Sequence, residues 1–267
     1  MTIENCLMMK IPRIIHYCWF GPNPIPETEK KCIASWKKFF PNFEFKFWNE
    51  ETFDFSTAPL FAKQAYEHKK FAFVSDYVRV KVLYDFGGLY FDTDLEVLKD
   101  FENILKKNSN FLGFETRNHL GTAIMGFQPK HQVLHEFLNY YENHPFIDKK
   151  GRIDNIANVT ILTDILTPLG LICNGGFQTI GDIDIYNREW FYPKKLSNTE
   201  YCFTNETIAV HRCSNSWMSE KQRKRGNNWF WLKILRPILQ KGRTIGLKII
   251  GKENIRNLEI IIRNKLK

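Results

Sequence analysis

The sequence predicts an α/β fold built on one open sheet with helices on its faces. Three observations predict it. A β-α-β succession opens the legible part of the chain, which favours an open α/β sheet. Phe71, Val74, Val78, Val82 and Phe86 recur at helical spacing, and Gly87-Gly88 then stops that helix. The short apolar run Leu89-Tyr90-Phe91 follows as a strand, with two carboxylates at its C-terminal end, where open α/β sheets place their ligands.

Each element has its own warrant. Ile11 to Phe20 is apolar and β-branched, a strand halted by Gly21-Pro22-Asn23-Pro24. A helix is expected from Glu27 to Phe40, ended by Pro41-Asn42. Phe43, Phe45 and Phe47 alternate with Glu44 and Lys46, the period of a strand. Residues 60–70 and 71–86 read as two helices. Further on the pattern thins. Phe111 to Phe114 and Thr122 to Phe127 read as strands, and His131 to Tyr141 and Ile156 to Leu166 as helices. Ile183 to Tyr192 reads as a strand pair near a sheet edge. No internal repeat or low-complexity segment interrupts the chain.

With 267 residues, 43% of them hydrophobic and 23 of them Phe, the chain can bury a sizeable core and is not of disordered composition. The net charge of +9 is unevenly spread. From Lys221 to Lys267 there are 14 Lys and Arg against 2 Asp and Glu, and the rest of the chain carries 24 against 27. The body is thus mildly acidic, which argues against a nucleic-acid-binding body, since phosphate-binding surfaces need clustered cations. The six cysteines form no C-x-x-C pair, so zinc spacing is absent and free thiols are expected. Met1 to Lys10 has no signal-type apolar stretch, and no apolar run reaches 18 residues. The chain is expected to stay in the compartment where it is made.

The chemistry centres on Asp92-Thr93-Asp94. Two carboxylates separated by one residue at a strand end can converge on one hard cation, with a diphosphate supplying further oxygens. The spacing alone is weak, and Asp182-Ile183-Asp184 repeats it. Context sets the first triplet apart. Asp76 and Arg79, at i and i+3, share a helix face just upstream. Arg79 offers a planar fork for hydroxyls or phosphate, and Asp76 offers an acceptor for sugar hydroxyls. Trp19 ends the first strand beside a Gly/Pro-rich loop, where a base could lie on its ring. His211 to Trp217 gathers an imidazole, a hydroxyl and an indole in seven residues, and His211 is a candidate metal or diphosphate ligand.

These segments resemble the bacterial members of glycosyltransferase family 32, whose DXD region is similar to that of yeast initiating mannosyltransferases and of clostridial glucosylating toxins. The resemblance is carried by Ile11 to Gly21, by Ser35-Trp36-Lys37 with Trp48-Asn49, by Phe71 to Arg79, by Leu83 to Asp94, and by His211 to Trp217. It implies a GT-A fold, a single Rossmann-like mixed sheet flanked by helices. It also implies a nucleotide-sugar donor, Mn²⁺ or Mg²⁺, and retention of anomeric configuration. By position, Cys18 and Trp19 would sit at the base, and Asp76, Arg79 and Tyr90 at the donor sugar. Asp92, Thr93 and Asp94 would serve ribose and metal, with His211 a further metal ligand. Ser216 and Trp217 would close over the diphosphate. A front-face substitution is expected, in which protein groups mainly position and stabilise charge. Acceptor residues within 98–200 do not transfer.

The expected organisation is a catalytic domain over 1–225 and basic amphipathic helices over 226–267. Trp231, Leu232, Leu235, Ile238 and Leu239 form one apolar stripe there, and Ile255, Leu258, Ile262 and Leu266 another, opposite Lys and Arg. Such helices suit an anionic membrane surface. The expected role is therefore capsule, exopolysaccharide or O-antigen synthesis on a lipid-linked glycan acceptor at the cytoplasmic face of the plasma membrane. Two alternatives are a toxin-like protein glycosyltransferase and a non-catalytic sugar- or membrane-binding protein on a dead transferase fold. The intact Asp92/Asp94 pair with Asp76 and Arg79 argues against the second.

Overall fold

A computed structural model describes residues 11–107, 110–154, 156–193 and 200–214, with isolated positions beyond. These continuous stretches belong to a unit spanning Met1–Ser214. Ser216, Trp217 and the expected helices of 226–267 lie outside these continuous stretches.

The elements begin with β1 (Ile14–Cys18), α1 (Glu27–Phe39), β2 (Glu44–Trp48), α2 (Leu60–Glu67), α3 (Phe71–Phe86), β3 (Gly88–Phe91) and β4 (Leu95–Val97). They continue with α4 (Glu102–Leu105), β5 (Asn110–Thr116), β6 (His119–Phe127), α5 (Gln132–Asn143), α6 (Asn158–Leu166), β7 (Gln178–Ile180), β8 (Ile183–Tyr186) and β9 (Ala209–His211). Seven strands form one mixed sheet in the order β2-β1-β3-β6-β5-β8-β7, and β4 pairs with β9 in a second, two-stranded sheet. β2, β1 and β3 are parallel, β6 runs against both β3 and β5, and β8 is parallel to β5. This is the α/β architecture expected, a mixed sheet flanked by helices.

The sheet divides two cores, and strand alternation decides which side chain goes where. Tyr90 enters the core that holds Val74, Val78 and Leu83 of α3, whereas Leu89 and Phe91 enter the opposite core with Trp36. The α3 expectation needs correction. It is not an amphipathic helix with one buried stripe, because Tyr77, Arg79, Val80 and Leu83 are buried along with Val74, Val78 and Val82. Wedged between the sheet and the α2 and α5 helices, it is covered nearly all round, as buried helices are. The 183–192 expectation also changes. The strand pair at that edge is β7 with β8, and residues 188–190 form a single 3₁₀ turn. The turn Gly181-Asp182 between β7 and β8 carried too little pattern to place the first strand.

Gly87 and Gly88, with φ of 63° and 103°, make the sharp turn from α3 into β3. A Cβ on Gly88 would lie 2.6 Å from the Ile14 carbonyl oxygen, so β3 can approach β1 only without a side chain there. His16, fully buried in β1, locks this turn. Its Nδ1 accepts the Trp48 indole N–H at 3.1 Å, which leaves Nε2–H to donate to the Gly87 carbonyl at 2.9 Å. Burial lowers its pKa to about 4 and keeps it neutral. The described cysteines are all free thiols. Among the described residues no helix is long and apolar enough to cross a membrane.

Candidate active site

Asp92-Thr93-Asp94 forms the turn between β3 and β4. The Asp92 N–H donates to the Ala123 carbonyl at 2.8 Å, and the Leu95 N–H donates to the Asp92 carbonyl at 2.9 Å. The turn is held from below by α1. The Trp36 indole donates to the Leu95 carbonyl at 2.6 Å, and the Ser35 hydroxyl accepts the Val97 N–H at 2.9 Å. The Ser35-Trp36 pair therefore fixes the strand leaving the carboxylates.

β4 pairs antiparallel with β9, and Leu95 stands opposite His211. That pairing delivers an imidazole to the turn from more than a hundred residues away. His211 Nε2 lies 3.2 Å from Asp94 Oδ1. One ligand atom each from Asp92, Asp94 and His211 lie within 4.8 Å of one another. Two carboxylate oxygens and an imidazole nitrogen, all on half-buried side chains, are a donor set that could hold a divalent cation. Burial alone would raise the Asp94 carboxyl. His211 and the Ser214 N–H, which donates to Asp94 Oδ2 at 2.8 Å, outweigh it and bring the pKa to about 2. Burial lowers the proton affinity of His211, but Asp94 more than reverses this and raises it well above its usual value.

Asp182-Ile183-Asp184 shows why spacing was not enough. Asp182 accepts Asn110 Nδ2 at 2.7 Å and faces His131 at 3.1 Å, whereas Asp184 accepts the Thr179 hydroxyl at 2.9 Å and pairs with Lys107. The two carboxylates serve different neighbours and do not converge.

Beside this Asp-Asp-His group lies a buried charge cluster. Arg79 is 5% exposed. Its Nη2 lies 3.0 Å from Asp76 Oδ1, its Nη1 lies 3.2 Å from Asp92 Oδ1, and Nη1 also donates to the Thr122 carbonyl at 2.9 Å. Its guanidinium stacks 4.7 Å above the Tyr90 ring, and the Tyr90 hydroxyl donates to Asp92 Oδ1 at 3.0 Å. Arg79 is thus not a free fork. It is engaged with Asp76, Asp92 and Thr122, and with Tyr90 it orients Asp92. Tyr90 and Cys18 are both buried. They sit beneath this cluster, with no open face toward a ligand. Burial lifts the Cys18 thiol to about 12. Trp19 is half-buried at the end of β1, and its indole N–H donates to the Asn23 carbonyl at 2.6 Å, which fixes the ring against the Gly/Pro loop. Thr93 is buried within the turn.

Two residues escaped the sequence reading. Asn158, at the start of α6, donates to Asp76 Oδ1 at 2.5 Å. Glu29 of α1, 1% exposed, accepts the Ser214 hydroxyl at 2.7 Å. It also accepts the Thr28 hydroxyl. Glu29 thereby holds the residue whose N–H holds Asp94. Asn158 lies in the stretch where pattern was faint. Glu29 sits among several charged residues of α1, and only its burial, which no spacing shows, marks it out.

The chain is similar to known glycosyltransferases. Residues 26–111 match the family described as glycosyltransferase sugar-binding region containing DXD motif. The match contains Asp76, Arg79, Tyr90 and Asp92 to Asp94, so this stretch is similar to glycosyltransferase sugar-binding regions. The chain is 36% identical over 84 residues to lactosylceramide 4-alpha-galactosyltransferase of Mus musculus, covering 30% of this chain and 22% of that one. It is 24% identical over 220 residues to an uncharacterised glycosyltransferase of Acanthamoeba polyphaga mimivirus, covering 78% and 84%. It is 28% identical over 154 residues to inositol phosphoceramide mannosyltransferase 1 of Schizosaccharomyces pombe, covering 53% and 47%. The chain thus spans about a fifth of the mouse protein and about half of the yeast one. Among solved structures, PaToxG glycosyltransferase aligns with a TM-score of 0.46 at 18% identity, over 59% of this chain and 69% of that one. A glycosyltransferase involved in the glycosylation of the major capsid of PBCV-1 aligns with a TM-score of 0.42 at 10% identity, over 80% and 98%.

Proposed function

We propose that the chain is a metal-dependent, retaining glycosyltransferase that moves a hexose from a nucleotide-sugar to a lipid-linked glycan acceptor. The donor is a UDP-sugar such as UDP-galactose, UDP-glucose or a UDP-N-acetylhexosamine. The observation that carries this reading is the convergence of Asp92, Asp94 and His211 beside the Arg79–Asp76–Asn158 cluster. A divalent ion, Mn²⁺ or Mg²⁺, held by those three residues would neutralise charge on the departing diphosphate.

The chain's own groups position. Arg79 and Tyr90 hold Asp92, while the Ser214 N–H holds Asp94, so both carboxylates are oriented before a donor arrives, and His211 gives up its proton when it ligates the ion. Asn158 and Arg79 share Asp76 Oδ1, which leaves Asp76 Oδ2 as an acceptor and the second Asn158 N–H as a donor for adjacent sugar hydroxyls. Trp19 would offer its ring to the base, and the diphosphate role expected for Ser216 and Trp217 falls on residues outside those described. In a front-face substitution the leaving diphosphate oxygen takes the acceptor proton, so no protein nucleophile is required.

The lipid-linked acceptor is supported by the two relatives named for lactosylceramide and inositol phosphoceramide. It is also supported by the basic, amphipathic sequence of 226–267, which would hold the enzyme on the anionic inner face of the plasma membrane. The biological setting we propose is capsule, exopolysaccharide or O-antigen assembly.

The decisive experiment incubates the full chain with UDP- and GDP-sugars, with and without Mn²⁺, and reads donor hydrolysis and protection against thermal unfolding. Metal-dependent hydrolysis of at least one donor is expected, abolished by Asp94→Asn with the fold retained. No response to any donor would sink the catalytic reading. Equal sedimentation with anionic and neutral vesicles would remove the membrane part alone.

A further inference from the structure

A cavity of about 560 Å³ opens at the outer edge of the large sheet, away from the metal-ligand group. Its volume falls within the range of roughly 300–1,000 Å³ typical of small-ligand sites. Its wall holds three aromatic rings in one cluster. Phe177 meets Tyr186 at 5.4 Å and 65°, and Trp190 meets Tyr186 from another side at 4.6 Å and 47°. Tyr186 is buried, yet Phe177 remains 53% exposed. The Phe177 ring is nonetheless held in place. Lys107 Nζ lies 5.2 Å from its centroid and 5.3 Å from that of Tyr186. An exposed but pre-positioned apolar ring is a platform without an occupant from the described residues.

The polar side chains around it set the ligand chemistry. Asn174, Asn187, Glu189 and Glu206 line the same cavity. Amides and carboxylates beside ring faces suit a ligand that carries hydroxyls on its edges and C–H groups on its faces. The hydroxyls donate to carboxylates and exchange bonds with amides, and the C–H face lies on the electron-rich face of an aromatic ring. A phosphate or nucleotide suits this wall poorly. Two carboxylates would repel it, and Lys107 is already paired with Asp184 at 3.5 Å.

We propose that this cavity is a carbohydrate-binding subsite for a short neutral oligosaccharide, the portion of a glycan acceptor remote from the reacting hydroxyl. The connection to the reacting end is structural. The Ile208 N–H donates to the Trp190 carbonyl at 3.0 Å and the His211 N–H to the Phe191 carbonyl at 3.2 Å, so one strand run links the cavity wall to the metal ligand. Glu206 and His211 are at most about 18 Å apart along extended chain. The Glu206 wall of the cavity therefore stands within that distance of His211. The assignment to an acceptor rests on the proposed transferase reaction, but sugar binding in the cavity does not.

The test is direct binding of lactose, cellobiose, maltose and chitobiose to the full chain at millimolar concentration, read by saturation-transfer NMR and intrinsic tryptophan fluorescence. At least one disaccharide is expected to bind without metal and equally well to Asp94→Asn. Phe177→Ala removes an exposed ring, so it should leave the thermal midpoint unchanged and weaken binding roughly five- to tenfold, the scale of one aromatic contact. Asn174→Ala provides a second, exposed probe. The proposal is overturned if none of the four binds, if binding is insensitive to both substitutions, or if UDP competes for the Phe177-dependent site. Wild-type donor hydrolysis measured alongside separates the two readings. Hydrolysis without disaccharide binding removes the subsite and leaves the transferase, whereas the reverse leaves a sugar-binding cavity on a chain that does not turn over donor.

Discussion

Replacing Arg79 with Met should reveal what the buried Asp76 carboxylate depends on. The substitution keeps an unbranched chain in α3 but takes the cation from Asp76 at 3.0 Å and Asp92 at 3.2 Å. The cluster is already costly. Burial lifts the Asp76 carboxyl from 3.8 to about 6 despite the attraction of Arg79. At about 1.4 kcal/mol per factor of ten in proton affinity, ionised Asp76 costs the fold about 3 kcal/mol at neutral pH. Breaking a buried pair by removing one partner typically costs a further 3–5 kcal/mol or so. Arg79→Met should therefore lose about 3–5 kcal/mol at pH 8 in urea or guanidinium denaturation. The pH dependence supplies a second reading. A carboxyl whose folded pKa exceeds its unfolded value binds protons more readily when folded, so its penalty is relieved as pH falls through the folded pKa. With Arg79 gone that pKa rises further, and the deficit of the variant should shrink between pH 8 and pH 5. Adding Asp76→Asn should recover about 1–2 kcal/mol at pH 8, a coupling that a double-mutant cycle isolates. A loss below about 1 kcal/mol that does not change with pH would refute the account of Arg79 as the counter-ion of a buried carboxylate pair.

Three further outcomes follow from particular contacts. Glu29→Gln keeps the shape but weakens the hold on Ser214 and so on Asp94. Mn²⁺ affinity, read by electron paramagnetic resonance, should fall about tenfold or more with little change in stability, and unchanged affinity would remove Glu29 from the site. His16 is neutral when folded, with a pKa of about 4 against 6.5. Its contribution is thus complete above pH 6.5 and is lost as pH falls toward 4, where the unfolded chain alone gains the proton. The loss should be about 3 kcal/mol, present in the wild type and missing from His16→Asn when their denaturation curves are compared across that window. Gly88→Ala must place a Cβ 2.6 Å from the Ile14 carbonyl oxygen at a φ of 103°. It should cost about 2 kcal/mol or more, and a loss of only a few tenths would mean that the α3-to-β3 turn relaxes freely.

What was legible in the sequence follows its periodicity. β1, α1, β2 and α3 carried apolar or alternating patterns and stop signals, β3 was marked by the Gly87-Gly88 stop before it, and these elements and α2 stand where expected to within a few residues. β4, α4 and β9 are only three or four residues long, too short to show a period. β7 carries just Gln178, Thr179 and Ile180. The same contrast holds in the site. Asp76, Arg79, Tyr90, Asp92 and Asp94 lie within one stretch from α3 through β3 to the turn after it, so local geometry groups them. Asn158, Glu29 and Ser214 join through contacts that no local pattern records.

By itself the sequence determined an α/β sheet, a glycine-marked turn into β3, and a pair of carboxylates at that strand's end. It also named His211 as a candidate metal ligand, without the contact that would bring it to the carboxylates. Only the tertiary structure decided that β9 lies beside β4 and sets His211 against Asp94, while the second D-x-D pair is drawn apart by Asn110, Thr179 and Lys107. It also decided that Arg79 is buried against two carboxylates and so orients Asp92. The physical reason is the same in each case. Local spacing fixes which way neighbouring side chains point, but what meets them there is settled by strand pairing and burial between segments far apart in the chain.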